Sequence, residues 1–331
     1  MLRIAPIIRT QHGLVTRRQA LAAGMNDAEI RRLLRHGEWL PVRHGIYVEA
    51  ELWASLDPFR GQPLLRVRAA GLCLRCRDYV FSHDSAALVL ELGVPDPRSC
   101  LVHITRPKVH GDAIRAGVKH HLAPYTPDEV VTIEGVRVLA PARTALDMAR
   151  EHGLVAGVAC SDAALRRGSS RDLLREARSR MWCWPYSTVM DEAISLADPG
   201  AESWLESDGR VLVTSLGYGR PETQFGLSDG TRTVWCDLRL GRHIFEVDGW
   251  VKYDEDNLSG RTPREVLRSE KRRQDFISGF KLGVSRITAS DCGDGRRAAQ
   301  IRLGREVEDT NSRFGTDISD LAPFIVRRRR R

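Results

Sequence analysis

Residues 233–248, TVWCDLRLGRHIFEVD, carry the types and spacing best suited to chemistry. Two alternating runs flank Gly241-Arg242, and glycine at the first central position of a two-residue loop suits a type II′ turn. That turn sets Leu240 against His243, Arg239 against Ile244, Asp237 against Glu246 and Trp235 against Asp248. Carboxylates directly opposite on a sheet have Cβ atoms roughly 4.5–5.5 Å apart and repel. Asp237 and Glu246 therefore call for a shared proton, a nearby Arg or Lys, or a divalent cation. A pair of carboxylates plus a third from elsewhere is the oxygen-rich set that Mg²⁺ or Mn²⁺ prefers, and with Asp248 on the same face and Glu206 on the preceding helix candidate ligands are ample.

Positioning these carboxylates is the task of the surrounding elements. The opposite face of the hairpin, Val234, Cys236, Leu238, Leu240, Phe245 and Val247, is apolar and is expected to be the core side. Thr262-Pro263-Arg264-Glu265 is a capping box with proline at the first helical position, so a helix begins there. Along it Val266, Glu270, Arg273, Ile277 and Phe280 share one stripe. Glu270 and Arg273 either satisfy each other at i, i+3 or send one side chain to the carboxylates or to a phosphate. Residues 282–288 read as a closing strand, giving the order helix, strands, hairpin, helix, strand.

The front of the chain has a different character. Thr16 and Asn26 are good N-caps ahead of short helices at Arg17 to Ala23 and Asp27 to His36. The second directs Ile30, Leu33 and Leu34 inward and Arg31, Arg32 and Arg35 outward, and residues 38–48 alternate and turn at His44-Gly45 as a two-stranded wing would. This is the pattern of a winged helix-turn-helix over residues 1–50, whose second helix enters the DNA major groove. Arg31, Arg32 and Arg35 are the recognition candidates, and Arg17, Arg18 and Arg43 the candidate phosphate contacts. A purely structural helical cap with solvated arginines is the competing reading.

Residues 60–198 alternate helical and strand-like segments, an α+β unit. The spacing predicts helices at 64–74 and 85–92, strands or extended pieces at 100–105, 118–122 and 130–139, and a helix-like stretch at 166–198 that stops at Pro199-Gly200. Ser82-His83-Asp84-Ser85 and Arg143-Thr144-Ala145-Leu146-Asp147 stand out, but triad members meet through the fold rather than side by side, so Ser82 or Asp84 is expected to cap a helix. His103 and His120-His121 are possible metal ligands without helical i, i+4 support.

The 331 residues suit more than one folded unit, and 42% hydrophobic with 28% charged residues is ordinary globular usage. Apolar runs fall short of the roughly 20 residues of a membrane span, and the amino terminus lacks a secretory apolar region, so a cytoplasmic location is expected, with no membrane partner. Seven cysteines include one C-x-x-C pair, Cys73 and Cys76, and are expected to be reduced. The net charge of +8, from 51 basic and 43 acidic residues, favours an anionic partner, with DNA first. Residues 296–331 read as a basic tail ending in the arginine block 327–331.

Glu206-Ser207, the Asp237 strand, residues 245–249 (FEVDG), Lys252-Tyr253, residues 270–275 (EKRRQD) and the 283–288 strand together resemble the Vsr-like domain of actinobacterial proteins, within the PD-(D/E)XK restriction-endonuclease fold. Residues 12–16, 37–39, 43–47, 82–86 and 143–147 resemble the AbiEi-type antitoxins of type IV toxin–antitoxin systems. The resemblance implies an α/β restriction-endonuclease-like domain at 200–295, a mixed central sheet flanked by helices. It assigns Asp237 and Glu246 to the metal-binding acidic positions and Glu206 to the helix carboxylate. Asp248 stands where the motif's lysine usually does, and Lys252 would supply the missing positive charge. The implied reaction is Mg²⁺- or Mn²⁺-dependent hydrolysis of DNA phosphodiesters. The alternative is a non-catalytic antitoxin or repressor on a degenerate nuclease scaffold, partnered with a nucleotidyltransferase-like toxin.

Overall fold

Capping residues organise the front of the chain. α1 (Ala5–Thr10) leads into β1 (Leu14–Thr16), and Thr16 caps α2 (Arg17–Ala22) through a reciprocal box with Gln19. Asn26 does the same for α3 (Asp27–Arg35) with Glu29. Each box satisfies N–H groups that a first turn leaves without helical partners. β2 (Trp39–Arg43) and β3 (Ile46–Glu49) form the wing, and β1 adds to β3, so the sheet has three strands in the order β1-β3-β2. Val15, Ala20, Ile30, Leu33, Trp39 and Tyr47 fill the core beneath the two helices.

The computed structural model describes residues 4–74, 78–107, 113–248 and 263–327, and of 263–267 only the helical backbone. Cys76 and the arginine block beyond residue 327 lie outside the described residues. The chain forms two units, Met1–Ala164 with Ser169–Ile194, and Leu165–Gly168 with Ser195–Arg331. Both mix helices with sheets.

The first unit continues through α4 (Ala50–Ser55), α5 (Gly61–Cys73), β4 (Val80–Phe81), α6 (His83–Val89), β5 (Val102–Arg106), β6 (Ala113–Arg115) and β7 (Val118–Leu122). It then adds β8 (Val130–Ile133), β9 (Val136–Leu139), α7 (Pro141–His152), α8 (Leu154–Arg166), α9 (Arg171–Arg180) and α10 (Ser187–Leu196). Its six strands run in the order β6-β7-β5-β4-β9-β8, with parallel and antiparallel pairs. The helix-like stretch 166–198 is two helices, because Gly168 at φ +97° ends one path and Cys183, Pro185 and Tyr186 break the next. The capping expectation also fails: Ser82 occupies the N-cap of α6 but makes no side-chain cap, and the Asp84 carboxylate is buried against imidazoles.

The second unit orders α11 (Trp204–Thr214), β10 (Glu222–Ser228), β11 (Thr233–Leu240), β12 (His243–Asp248), α12 (Pro263–Gly279), β13 (Gly283–Thr288), α13 (Ala289–Cys292), α14 (Arg296–Phe314) and β14 (Ile325–Val326). Its sheet runs β13-β12-β11-β10-β14. β12 and β13 are parallel, which demands a crossover, and α12 supplies it. Helices α11 and α14 pack on Leu238, Phe245 and Ile287, while α12 and a 3₁₀ turn at Ser319–Phe324 contribute Ile277 and Leu321 to a second cluster with Phe225, Cys236 and Ile244. Gly209 permits the close approach of α11: a Cβ there would lie 3.2 Å from Val247.

Three expectations are corrected here. The hairpin register holds at Leu240↔His243, Arg239↔Ile244 and Leu238↔Phe245, but the paired ladder ends there and Asp237 does not pair backbone to backbone with Glu246. Its side chain accepts the Val247 N–H instead, at 2.7 Å. The β10 ladder also skips the Gln224 and Asp237 position, where Gln224 sits at φ +53°. This irregularity divides the expected core face, so Val234 and Cys236 join the cluster with Ile277 while Leu238 and Phe245 join the α11 and α14 cluster. Finally, residues 296–314 are not tail: α14 buries Ala299, Leu303, Val307 and Thr310, a helical stripe masked by the surrounding arginines.

Candidate functional site

Glu206 lies in the first turn of α11, where its backbone N–H donates to Ser203 Oγ at 3.1 Å and its carboxylate accepts from the Glu202 N–H and the Ser203 hydroxyl. It is thus part of the helix cap as well as of the cleft. Burial lifts its pKa above the ordinary glutamate value and nearby Asp237 adds to the rise. Glu246 is lifted in the same way, by burial first, with Asp237 again adding and Arg273 opposing. Asp237 therefore stands electrostatically between two glutamates from different elements.

Arg273 crosses from α12 to donate to Glu246 Oε2 and to the Trp235 carbonyl, each at 2.6 Å. The two readings of Glu270 and Arg273 are thereby resolved in favour of the carboxylate cluster. Glu270 pairs with Arg286 at 3.3 Å, and Arg286 also reaches Asp248 at 3.2 Å. Arg286 is the residue that inspection of the sequence missed. It enters because β13 pairs parallel with β12 and sets Arg286 beside Glu246, a neighbour visible only through the crossover. Lys252 lies outside the described residues.

These groups line a cleft of about 460 Å³ that includes Glu206, Asp237, Glu246, Asp248, Arg273 and Arg286. Glu246 Oε1 is buried with the Cys236 thiol against its carboxylate, and Arg273 holds the other oxygen. The cleft carboxylates are oxygen donors of the kind a hard divalent cation takes, but among the described residues they do not draw together into a three-ligand cluster.

The basic surface of the first unit is built differently. Arg18, Arg31, Arg32 and Arg35 are exposed, while Ile30 and Leu33 anchor the opposite side of α3. Arg32 lies 3.6 Å from Glu38, and Arg17 lies 2.6 Å from Asp27, tying the start of α2 to the start of α3. Both pairs are about half exposed, so they are weak and can exchange for a phosphate. Arg43 differs: it donates to the Ala116 carbonyl and is partly buried.

Comparison with known families singles out this same segment. Residues 3–50 match the family described as "Transcriptional regulator, AbiEi antitoxin". The match spans α1 to β3, ends as α4 begins, and supports a DNA-binding regulatory role. No curated protein matches the chain. No helix among the described residues is long and apolar enough to cross a membrane.

Proposed function

We propose that this chain is an AbiEi-type DNA-binding regulator that reads DNA with α3. The observation that carries the reading is the outward row Arg31, Arg32 and Arg35 on the second helix of a helix-turn-helix, inside the matched segment. Guanidinium groups on such a helix pair bidentately with guanine edges, whereas Arg17 and Arg18 at the start of α2 are placed for phosphates. The toxin partner that the antitoxin match suggests would be nucleotidyltransferase-like. Gel-shift selection against the chain's own upstream DNA tests the proposal. Arg31→Ala and Arg35→Ala should each weaken binding by about 1–3 kcal/mol and relax preference at one base position. Unchanged binding in both variants would remove α3 as the reading element.

A second activity is favoured by the cleft of the second unit. The α-β-β-β-α-β order from α11 to β13, with Glu206, Asp237 and Glu246 lining one cleft, supports a PD-(D/E)XK-like nuclease site. Asp237 and Glu246 would hold Mg²⁺ or Mn²⁺, which when bound supplies charge neutralisation at phosphorus and a more acidic water. Glu206, its pKa raised by burial first and by Asp237, is the cleft carboxylate best suited to take up and hold a proton. Arg273 and Arg286 bring positive charge to a cleft in which Asp248 replaces the motif's lysine. Plasmid nicking with Mg²⁺ or Mn²⁺, abolished by Asp237→Ala and by Glu246→Ala, is the expected result. A wild-type chain that shifts DNA without cutting it would leave the regulator role alone, with the second unit as scaffold.

A further inference from the structure

Ser82-His83-Asp84-Ser85 and Arg143-Thr144-Ala145-Leu146-Asp147 meet in the interior of the first unit. β5 and β7 are parallel neighbours in which His103 faces Lys119 and Thr105 faces His121, so His103 and His121 share one face, two residues apart along the strands. The Ser82 N–H donates to the His103 carbonyl, which brings the end of β4 to the same place. His83 follows in the left-handed region at φ +47°, a conformation that costs a non-glycine residue energy and that the surrounding fold must impose. Three imidazoles result, exposed by only 4%, 2% and 6% at His83, His103 and His121. One ring nitrogen from each lies within 4.8 Å of the other two.

Their outer partners orient them. His103 Nε2 is 3.0 Å from Asp84 Oδ2, and its Nδ1 is 3.0 Å from His121 Nε2. Asp84 also takes His152 Nε2 at 2.7 Å, so the carboxylate is held from two sides. With the Nε2–H given to Asp84, Nδ1 of His103 is an acceptor toward His121 Nε2, a bond that an ion between the two rings would replace. A carboxylate behind one nitrogen and an electron pair at the other is the arrangement that orients histidines on metals. Arg143 and Arg150 both act on His83 as positive charges, and Glu129 and Asp147 offset them in part, with Arg143 paired to both at 3.1 Å and Arg150 to Asp147 at 3.4 Å.

We propose that His83, His103 and His121 form a buried Zn²⁺ site in the first unit. Three nitrogen donors without oxygen or sulfur suit zinc among the abundant cations and not Mg²⁺. The rings of His83 and His121 are stacked, 3.8 Å between centroids, and a lone pair lies in its own ring plane, so one ring must turn to share an ion. His83, with the Ser82 hydroxyl 3.0 Å from Nδ1 and the Asp147 carboxylate only as near as 4.0 Å to Nε2, is held less closely than His103 and is the ring that turns. The ion joins the start of α6 to β5 and β7, stabilising that part of the first unit independently of the DNA and nuclease readings.

The test uses the full chain, stripped with a chelator and titrated with Zn²⁺, or with Co²⁺ as a spectroscopic probe. One Zn²⁺ per chain and intense tetrahedral Co²⁺ bands are expected. Both should survive in an Asp237→Ala, Glu246→Ala double variant, disappear in His103→Gln and His121→Gln, and weaken 10–100-fold in Asp84→Asn. Absence of tetrahedral bands in the wild type, their retention in a folded His121→Gln variant, or their loss in the double variant would each overturn the site. Should the histidine variants fail to fold, the wild-type spectrum and Asp84→Asn decide.

Discussion

His243 shows how much one side chain can commit to. It is buried at the start of β12, 2.7 Å from the hydroxyls of Thr310 and Ser285, and burial lowers its pKa from 6.5 to about 4, against a small opposing effect of Glu306. The folded state thus keeps this imidazole neutral where the unfolded chain protonates it. Its stabilising effect is complete above pH 6.5 and is lost as pH falls from 6.5 toward 4, by roughly 3 kcal/mol at most. Glu206 and Glu246, both raised, shift stability in the opposite sense, so the comparison must be made residue by residue. His243→Gln should flatten the pH dependence of urea unfolding of the second unit between pH 6.5 and 4. An unchanged profile would mean that other groups set the acid response.

At the scale of elements, capping chemistry was the most legible signal. Thr16 and Asn26 start helices where their side chains can take the N–H three residues on, and Asn26→Ala should cost about 1 kcal/mol in thermal or urea unfolding. The Gly241 turn was equally readable, since φ +56° there suits glycine, and it set the first three pairs of the hairpin. β1, β4 and β6 went unseen because two or three residues are too few to display alternation. α14 went unseen for another reason. Its apolar stripe is thin, and arginines dominate the composition of a segment that looks like a tail until it has a sheet to cover.

For the molecule as a whole, DNA affinity should follow the arginines of the first unit that remain free to meet phosphates. Arg43, engaged with Ala116, is expected to add less than Arg18 to the salt dependence. Removing one phosphate contact lowers the slope of log K against log salt by about 1, so Arg18→Ala should show that decrease and Arg43→Ala a smaller one. Equal decreases would show that the Arg43 contact yields to DNA.

By itself the sequence determined the helix-turn-helix with its wing, the carboxylate hairpin and the helix that follows it, because caps, turns and side-chain periodicity act over a few residues. Only the tertiary structure decided which charges meet. Asp237 left the ladder for the Val247 N–H, Arg273 chose Glu246 over Glu270, and Arg286 arrived beside them through a parallel crossover. The histidines followed the same rule, as His83, His103 and His121 lie on separate elements with no shared period. Long-range pairing brings such residues together, and nothing in their local spacing records it.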